Sequence, residues 1–141
     1  MLIRDANLDD FEFIYNCINE LEAHCFDKEK QRRIFSENLE NPALLYLIAE
    51  LSGTKIGFLS CYCQQLLHHG GLVGEIQEMY VIPEFRSQKI GNKLLEKLIE
   101  IARKLNVLQI EVTSNAKREA AHNFYLKSGF DFTHKKFTFP L

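Results

Sequence analysis

Apolar positions along this 141-residue chain change period several times, and each change marks an element. Leu2, Ile3 and Arg4 predict a short first strand. Asn7 is a good helix cap with Asp9 and Asp10 in the first turn, and Phe11, Ile14, Ile18 and Leu21 then recur on one helical face. Residues 29–39 predict a second helix that stops before the Asn41-Pro42 breaker. Residues 44–51 form an apolar strand, Ser52-Gly53-Thr54-Lys55 a hairpin turn, and 56–67 the returning strand. His68-His69-Gly70-Gly71 closes a second turn into a long third strand, 72–82, which makes this region an antiparallel meander.

The period then changes to that of a helix packed on a sheet. Leu94, Leu98, Ile101 and Leu105 share a stripe, opposite Lys93, Glu96, Lys97, Glu100 and Lys104. Residues 107–112 predict a buried strand, 118–127 a helix closed by Ser128-Gly129, and 130–139 one or two final strands. The strand–helix–strand unit over 72–112 has to cross over in parallel. The expectation is one α+β domain over residues 1–141, with a mixed six- or seven-stranded sheet and about four helices. No repeat, linker or low-complexity segment interrupts it.

Composition narrows the partners. Hydrophobic residues at 46% and charged residues at 26% suit a globular domain. A net charge of −2 gives no general attraction to nucleic acid or anionic membranes, so any phosphate must be recognised at one local site. No apolar run approaches the roughly 18 residues of a membrane span, and the N-terminus lacks a signal-peptide pattern. A cytoplasmic location is expected. Cys17, Cys25, Cys61 and Cys63 fit small buried hydrophobes better than a metal or disulfide framework, and no adjacent base marks any of them as a nucleophile.

The chemistry concentrates at residues 79–95. An apolar strand ending in Val81-Ile82-Pro83 runs into a polar turn led by Arg86, and Gly91 opens the amphipathic helix. Free backbone N–H groups, the positive end of a helix dipole and an arginine then surround one small volume, which suits a phosphate or pyrophosphate. The turn resembles the acetyl-CoA pyrophosphate loop of the GNAT superfamily of N-acetyltransferases, Q/R-x-x-G-x-G/A. Arg86 and Gly91 fill its first and last places, and Lys89 stands where the first glycine is usual. Residues 121–130 match the superfamily pattern A-x-x-F/L-Y-x-x-x-G-F position by position. The resemblance implies that Arg86, Ser87, Gln88, Lys89, Ile90, Gly91, Asn92 and Lys93 hold the pyrophosphate of acetyl-CoA. It also implies that Met79, Tyr80 and Val81 bond the pantetheine arm and the oxyanion, and that Ser114, Ala121 and Asn123 complete the coenzyme site.

Two residues are expected to move protons. Glu75, Gln77 and Glu78 are costly in an apolar strand unless they face a cavity or a partner. Strand alternation puts Glu75 and Gln77 on one face and Glu78 on the other. An ammonium must lose a proton before it attacks, and Glu75 is the expected base, an ion pair across the sheet being the alternative. Tyr125 is the expected acid for the departing thiolate. Leu67-His68-His69, the strand 74–78, Ser114-Asn115, Lys117-Arg118, His122 and Phe124-Tyr125-Leu126 look like the bacterial aminoalkylphosphonate N-acetyltransferases. That resemblance implies a small primary amine as acceptor, an aminoalkylphosphonate the first candidate, attacked directly in a ternary complex. Gln77 and Arg118 are expected contacts for it, and so are His68 and His69 at the rim of the pocket, for which solvated turn residues are the alternative. A polyamine, an aminoglycoside, a protein N-terminus or a non-catalytic acyl-CoA-binding module are the alternatives. The metal site is unknown: a divalent cation bridging the acceptor is left open, and so is a homodimer.

Overall fold

Five strands and four α-helices follow one another along residues 1–141, all of which the computed structural model describes. They are β1 (Leu2–Asp5), α1 (Phe11–Glu22), α2 (Lys28–Leu39), β2 (Leu44–Leu51), β3 (Thr54–Leu66), β4 (Gly71–Val81), α3 (Ile90–Lys104), β5 (Gln109–Val112) and α4 (Glu119–Lys127). Short 3-10 turns at Leu8–Asp10 and Pro83–Gln88 lead into α1 and α3. The chain resolves into two compact units, Met1–Glu111 and Val112–Leu141.

In the first unit the sheet order is β1-β2-β3-β4-β5. The first three pairings are antiparallel, as a meander with tight turns requires. The α3 crossover brings β5 beside β4 and makes the sheet mixed. Leu108 N–H donates to Leu72 O at 2.8 Å where β5 begins. Phe11, Ile14 and Cys17 from α1, Phe35 from α2, Ile48 from β2 and Phe58 from β3 form one buried cluster, with Tyr46 and Tyr80 packed against it. Each such side chain contributes about 1.5–3 kcal/mol by leaving water. On the opposite face α3 buries Ile90, Leu94, Leu95, Leu98 and Ala102. Gly57 permits the close approach there, since a Cβ would stand 3.0 Å from Tyr80 O and 3.5 Å from Leu94 Cδ1.

The N-terminal strand is fastened by charge. Asp10 is fully buried and takes Arg4 Nη1 and Nη2 at 2.8 Å each, Lys55 Nζ at 2.8 Å and the Asn7 amide at 2.8 Å. Glu50 on β2 binds the same guanidinium at 2.6 Å. Asn7 and Asp10 also form a reciprocal capping box. One carboxylate therefore joins β1, the entrance to α1 and the start of β3.

In the second unit α4 ends in a left-handed Gly129 at φ +97°, where Phe130 N–H returns to Tyr125 O at 3.0 Å. Residues 130–141 form neither helix nor strand. The sheet accordingly has five strands, not six or seven. The final segment has the alternating apolar pattern of a strand but forms none.

Candidate active site

β4 carries a bulge that reverses an expectation. Ser60 pairs with Glu78 and Cys61 with Ile76, so Gln77 is an extra residue opposite no partner. Glu75 pairs with Tyr62, and Ser60 and Tyr62 lie two apart on β3. Glu75 and Glu78 therefore share the face that also carries Phe58. The inserted residue breaks strict alternation, and the expected separation of Glu75 with Gln77 from Glu78 is overturned. Gln77 is exposed and its Nε2 donates to Glu75 O at 3.3 Å.

That face opens into a cavity of about 450 Å³, lined by Asn38, Tyr46, Ser60, Tyr62, Gln77 and Glu78 among others. Ser60 Oγ donates to Glu78 Oε2 and accepts the Glu78 amide N–H at 3.1 Å. Burial pushes the Glu78 carboxyl above the usual range, with the Ser60 hydrogen bond opposing the shift. Burial likewise raises the Tyr46 phenol, which accepts from Asn38 Nδ2 at 2.9 Å. A carboxyl with raised pKa, no cationic partner and a cavity in front of it suits proton transfer. Residue types on β4 pointed to this strand, but Tyr46, Ser60 and Tyr62 come from other strands with no motif of their own. The signal for Glu78 was its presence in an apolar strand, and only the bulge assigns its face.

The expected pyrophosphate loop is the 3-10 turn Pro83–Gln88 followed by Lys89 and α3. Lys89 lies in the left-handed region at φ +61°, ψ +23°. This explains why a glycine is usual there, since a Cβ is disfavoured in that conformation. No side chain caps α3, so its first-turn amides around Gly91 and Asn92 have no side-chain acceptor. The cradle therefore fits an anionic phosphate group. Ser87, Gln88, Lys89 and Lys93 are exposed beside it, while Ile90 is buried as the first apolar anchor of α3. Arg86 Nε donates to Val81 O at 2.9 Å, and its guanidinium stands 5.1 Å from the centre of the Tyr80 ring. Met79, Tyr80 and Val81 pair with Leu59, Phe58 and Gly57 of β3.

In the second unit, Asn115 organises the turn after Ser114. Its carbonyl accepts the Arg118 amide at 3.0 Å and pairs with His122 Nε2 at 2.8 Å. Ala121 and Tyr125, four apart, share one face of α4, Arg118 stands just before its first residue, and Asn123 is exposed. The Tyr125 ring stands edge-on to Phe124 and Phe130, with centroids 5.4 and 5.5 Å away. Burial pushes its phenol up, and the Arg118 charge pulls it back in part. The phenol is therefore protonated at neutral pH, as a proton donor must be.

His68 and His69 stand at the tip of the β3–β4 hairpin, their rings 4.5 Å apart. His69 Nε2 lies 3.7 Å from Glu111 Oε2. His69 and Glu75 are six positions apart along the chain, at most about 20 Å, and neither histidine lines the cavity at Glu78. No three His, Cys, Asp or Glu side chains gather as a metal site. Cys17, Cys61 and Cys63 are buried, which raises their thiols above the ordinary range, so none is a thiolate nucleophile at neutral pH. No helix is long and apolar enough to cross a membrane.

Residues 9–130 match the family described as Acetyltransferase (GNAT) family. The chain is 38% identical over 136 residues to the aminoalkylphosphonate N-acetyltransferase of Salmonella typhimurium, covering 96% of this chain and 88% of that protein. Among solved structures, a transcriptional regulator from Bacillus halodurans has a TM-score of 0.91 at 22% identity, over 99% of both chains. An aminoglycoside N-acetyltransferase in complex with CoA has a TM-score of 0.88 at 17% identity, over 99% of this chain and 93% of that one. Similarity at these identities establishes the shared fold.

Proposed function

The chain belongs to the acetyltransferase (GNAT) family and is an acetyl-CoA-dependent N-acetyltransferase, and from that premise we propose that its acceptor is the primary amine of a small anionic molecule, an aminoalkylphosphonate first. The observation that carries the acceptor is the 38% identity, over nearly the whole chain, to a protein of that name. The polar cavity of about 450 Å³ on the β4 face is of a size for such a molecule.

Both substrates bind together and the amine attacks the thioester carbonyl directly. A C–N bond forms as the C–S bond breaks. The amine proton passes to a carboxylate on the shared face of β4, and the phenolic proton of Tyr125 passes to the departing CoA thiolate. Glu78 is the first candidate base because it lines the cavity and burial raises its basicity, and Glu75 is the second. Backbone groups at the bulge and the amides at the start of α3 serve the coenzyme side. Gln77 and Arg118 are the groups proposed for the anionic end of the acceptor.

A CoA-release assay tests the acceptor with aminomethyl- and aminoethylphosphonate, a polyamine, an aminoglycoside and an N-terminal peptide, each with and without a divalent cation. Turnover confined to the phosphonates is expected. Efficient acetylation of another amine, with none on phosphonates, would reject the acceptor and leave the transferase activity standing. Within the active set, Tyr125→Phe is expected to lower turnover by about 10²–10⁴-fold with CoA affinity retained. Glu78→Gln is expected to cost more in kcat/KM than Glu75→Gln, and to remove the acidic limb of the pH–rate profile. Equal profiles for Glu78→Gln and the parent would move the base elsewhere.

A further inference from the structure

The cavity beside Glu78 lies wholly within the first unit, and its lining holds one carboxylate and no lysine, arginine or histidine. An oxyanion placed there must take its hydrogen bonds from neutral donors. Several of the lining groups are already engaged. Ser60 Oγ gives its proton to Glu78, and Asn38 Nδ2 donates to the Tyr46 phenol oxygen at 2.9 Å. Because Tyr46 accepts that bond, its own O–H proton is left over, and no group of the protein takes it. Burial raises the phenol, so the proton stays in place at neutral pH.

Strand register puts this spare donor where an acceptor molecule would meet it. Tyr46 on β2 pairs with Ser60 on β3, and Ser60 pairs with Glu78 on β4, so the three form one row on one face of the sheet. The next row, Ile48–Phe58–Tyr80, is part of the buried cluster and its apolar rim, and it walls the cavity on that side. The backbones of β2 and β4 lie about 9.5 Å apart across β3, so the carboxyl and the phenol enter the cavity from its two sides. The Tyr46 ring is held edge-on by the buried Phe35 ring, with centroids 5.3 Å apart, and its oxygen is held by Asn38. A side chain fixed at both ends loses little freedom on binding.

We propose that the Tyr46 hydroxyl is the donor that selects the oxyanion end of the acceptor, with Asn38 and Phe35 positioning it for that task. The proposal rests on the acceptor being a small anionic amine. Glu78 repels an oxyanion set beside it and attracts an ammonium, so the amine belongs on the β4 side of the row and the oxygen on the β2 side. The Asn38 bond to the phenol oxygen polarises the O–H and strengthens it as a donor. A hydrogen bond to a charged oxygen contributes enough to discriminate between acceptors by about 10–100-fold.

The test is a CoA-release assay that compares aminoethylphosphonate with ethylamine, its counterpart without the oxyanion. Tyr46→Phe keeps the ring on Phe35 and removes only the proton donor. It is expected to reduce the preference for the phosphonate by about 10–100-fold, through a raised KM, while kcat/KM for ethylamine falls far less. Calorimetry is expected to show acetyl-CoA affinity retained, which a general loss of structure would not allow. Asn38→Asp is the second variant, since a carboxylate there accepts the phenolic proton and takes the donor away with Tyr46 intact. The same loss of preference is expected. A parent with no preference for the phosphonate would overturn the acceptor reading and the role of Tyr46 with it. A parent that prefers the phosphonate, with a Tyr46→Phe or Asn38→Asp variant that prefers it as strongly, would overturn the role of Tyr46 alone.

Discussion

Two buried carboxyls show how one residue type serves opposite ends. Burial alone would raise Asp10, but hydrogen bonds from Arg4 and Lys55 more than offset it and hold the carboxyl well below the usual range. Its stabilisation is therefore fully present above the ordinary aspartate pKa and is lost as pH falls toward the lowered value. Asp10→Asn would leave Arg4 and Lys55 without their shared counter-charge. It is expected to cost about 2–3 kcal/mol, below the full value for a buried pair because both cations are partly exposed. Urea denaturation at neutral pH checks this, and a near-zero effect would show that the cluster is only decorative. Glu78 has the reverse sign. Its folded pKa is raised, so it favours folding most below the ordinary glutamate pKa and less as pH climbs through the raised value. Glu78→Gln is accordingly expected to raise Tm at neutral pH, a gain that shrinks in acid, while it lowers turnover. Loss of stability at neutral pH would contradict a strained, functional carboxyl.

Among the elements, the 3-10 turn and α3 show most directly what sequence could reveal. The order of apolar strand, polar turn and amphipathic helix was legible because each part has its own period and its own breakers. The conformation of Lys89 was legible only by contrast, as a residue standing where a left-handed backbone wants glycine. Lys89→Gly is expected to leave Tm unchanged or higher and to weaken acetyl-CoA binding several-fold, because strain and one positive charge go together. Calorimetry distinguishes this from a purely structural lysine, whose removal would leave affinity unchanged. The β4 bulge was not legible. A bulge depends on the pairing between two strands, and an insertion of one residue leaves no trace in the composition of either. Tyr46 and Ser60 were missed for the same reason, since they reach the cavity through register rather than through any local motif.

For the whole molecule, the α+β class and the meander followed from hydrophobic period, and so did the parallel crossover. The strand count did not, because residues 130–139 carry a strand pattern but form no strand. Acetyl-CoA should stabilise the protein by mass action, by about 2.7 kcal/mol at a hundredfold excess over Kd. A thermal melt with and without it would show this as a rise in Tm, and no rise at saturation would argue against binding by the folded chain. The extra residue on β4 also has a consequence best put genetically. Loss of the single codon for Gln77 would restore an uninterrupted ladder and still leave Glu75 and Glu78 on one side, since they would then be two apart. Such a deletion spares both acids and removes the unpaired peptide link. If it silences the enzyme while Gln77→Ala does not, the contribution of that position is its backbone, a quantity that no amino-acid substitution can subtract.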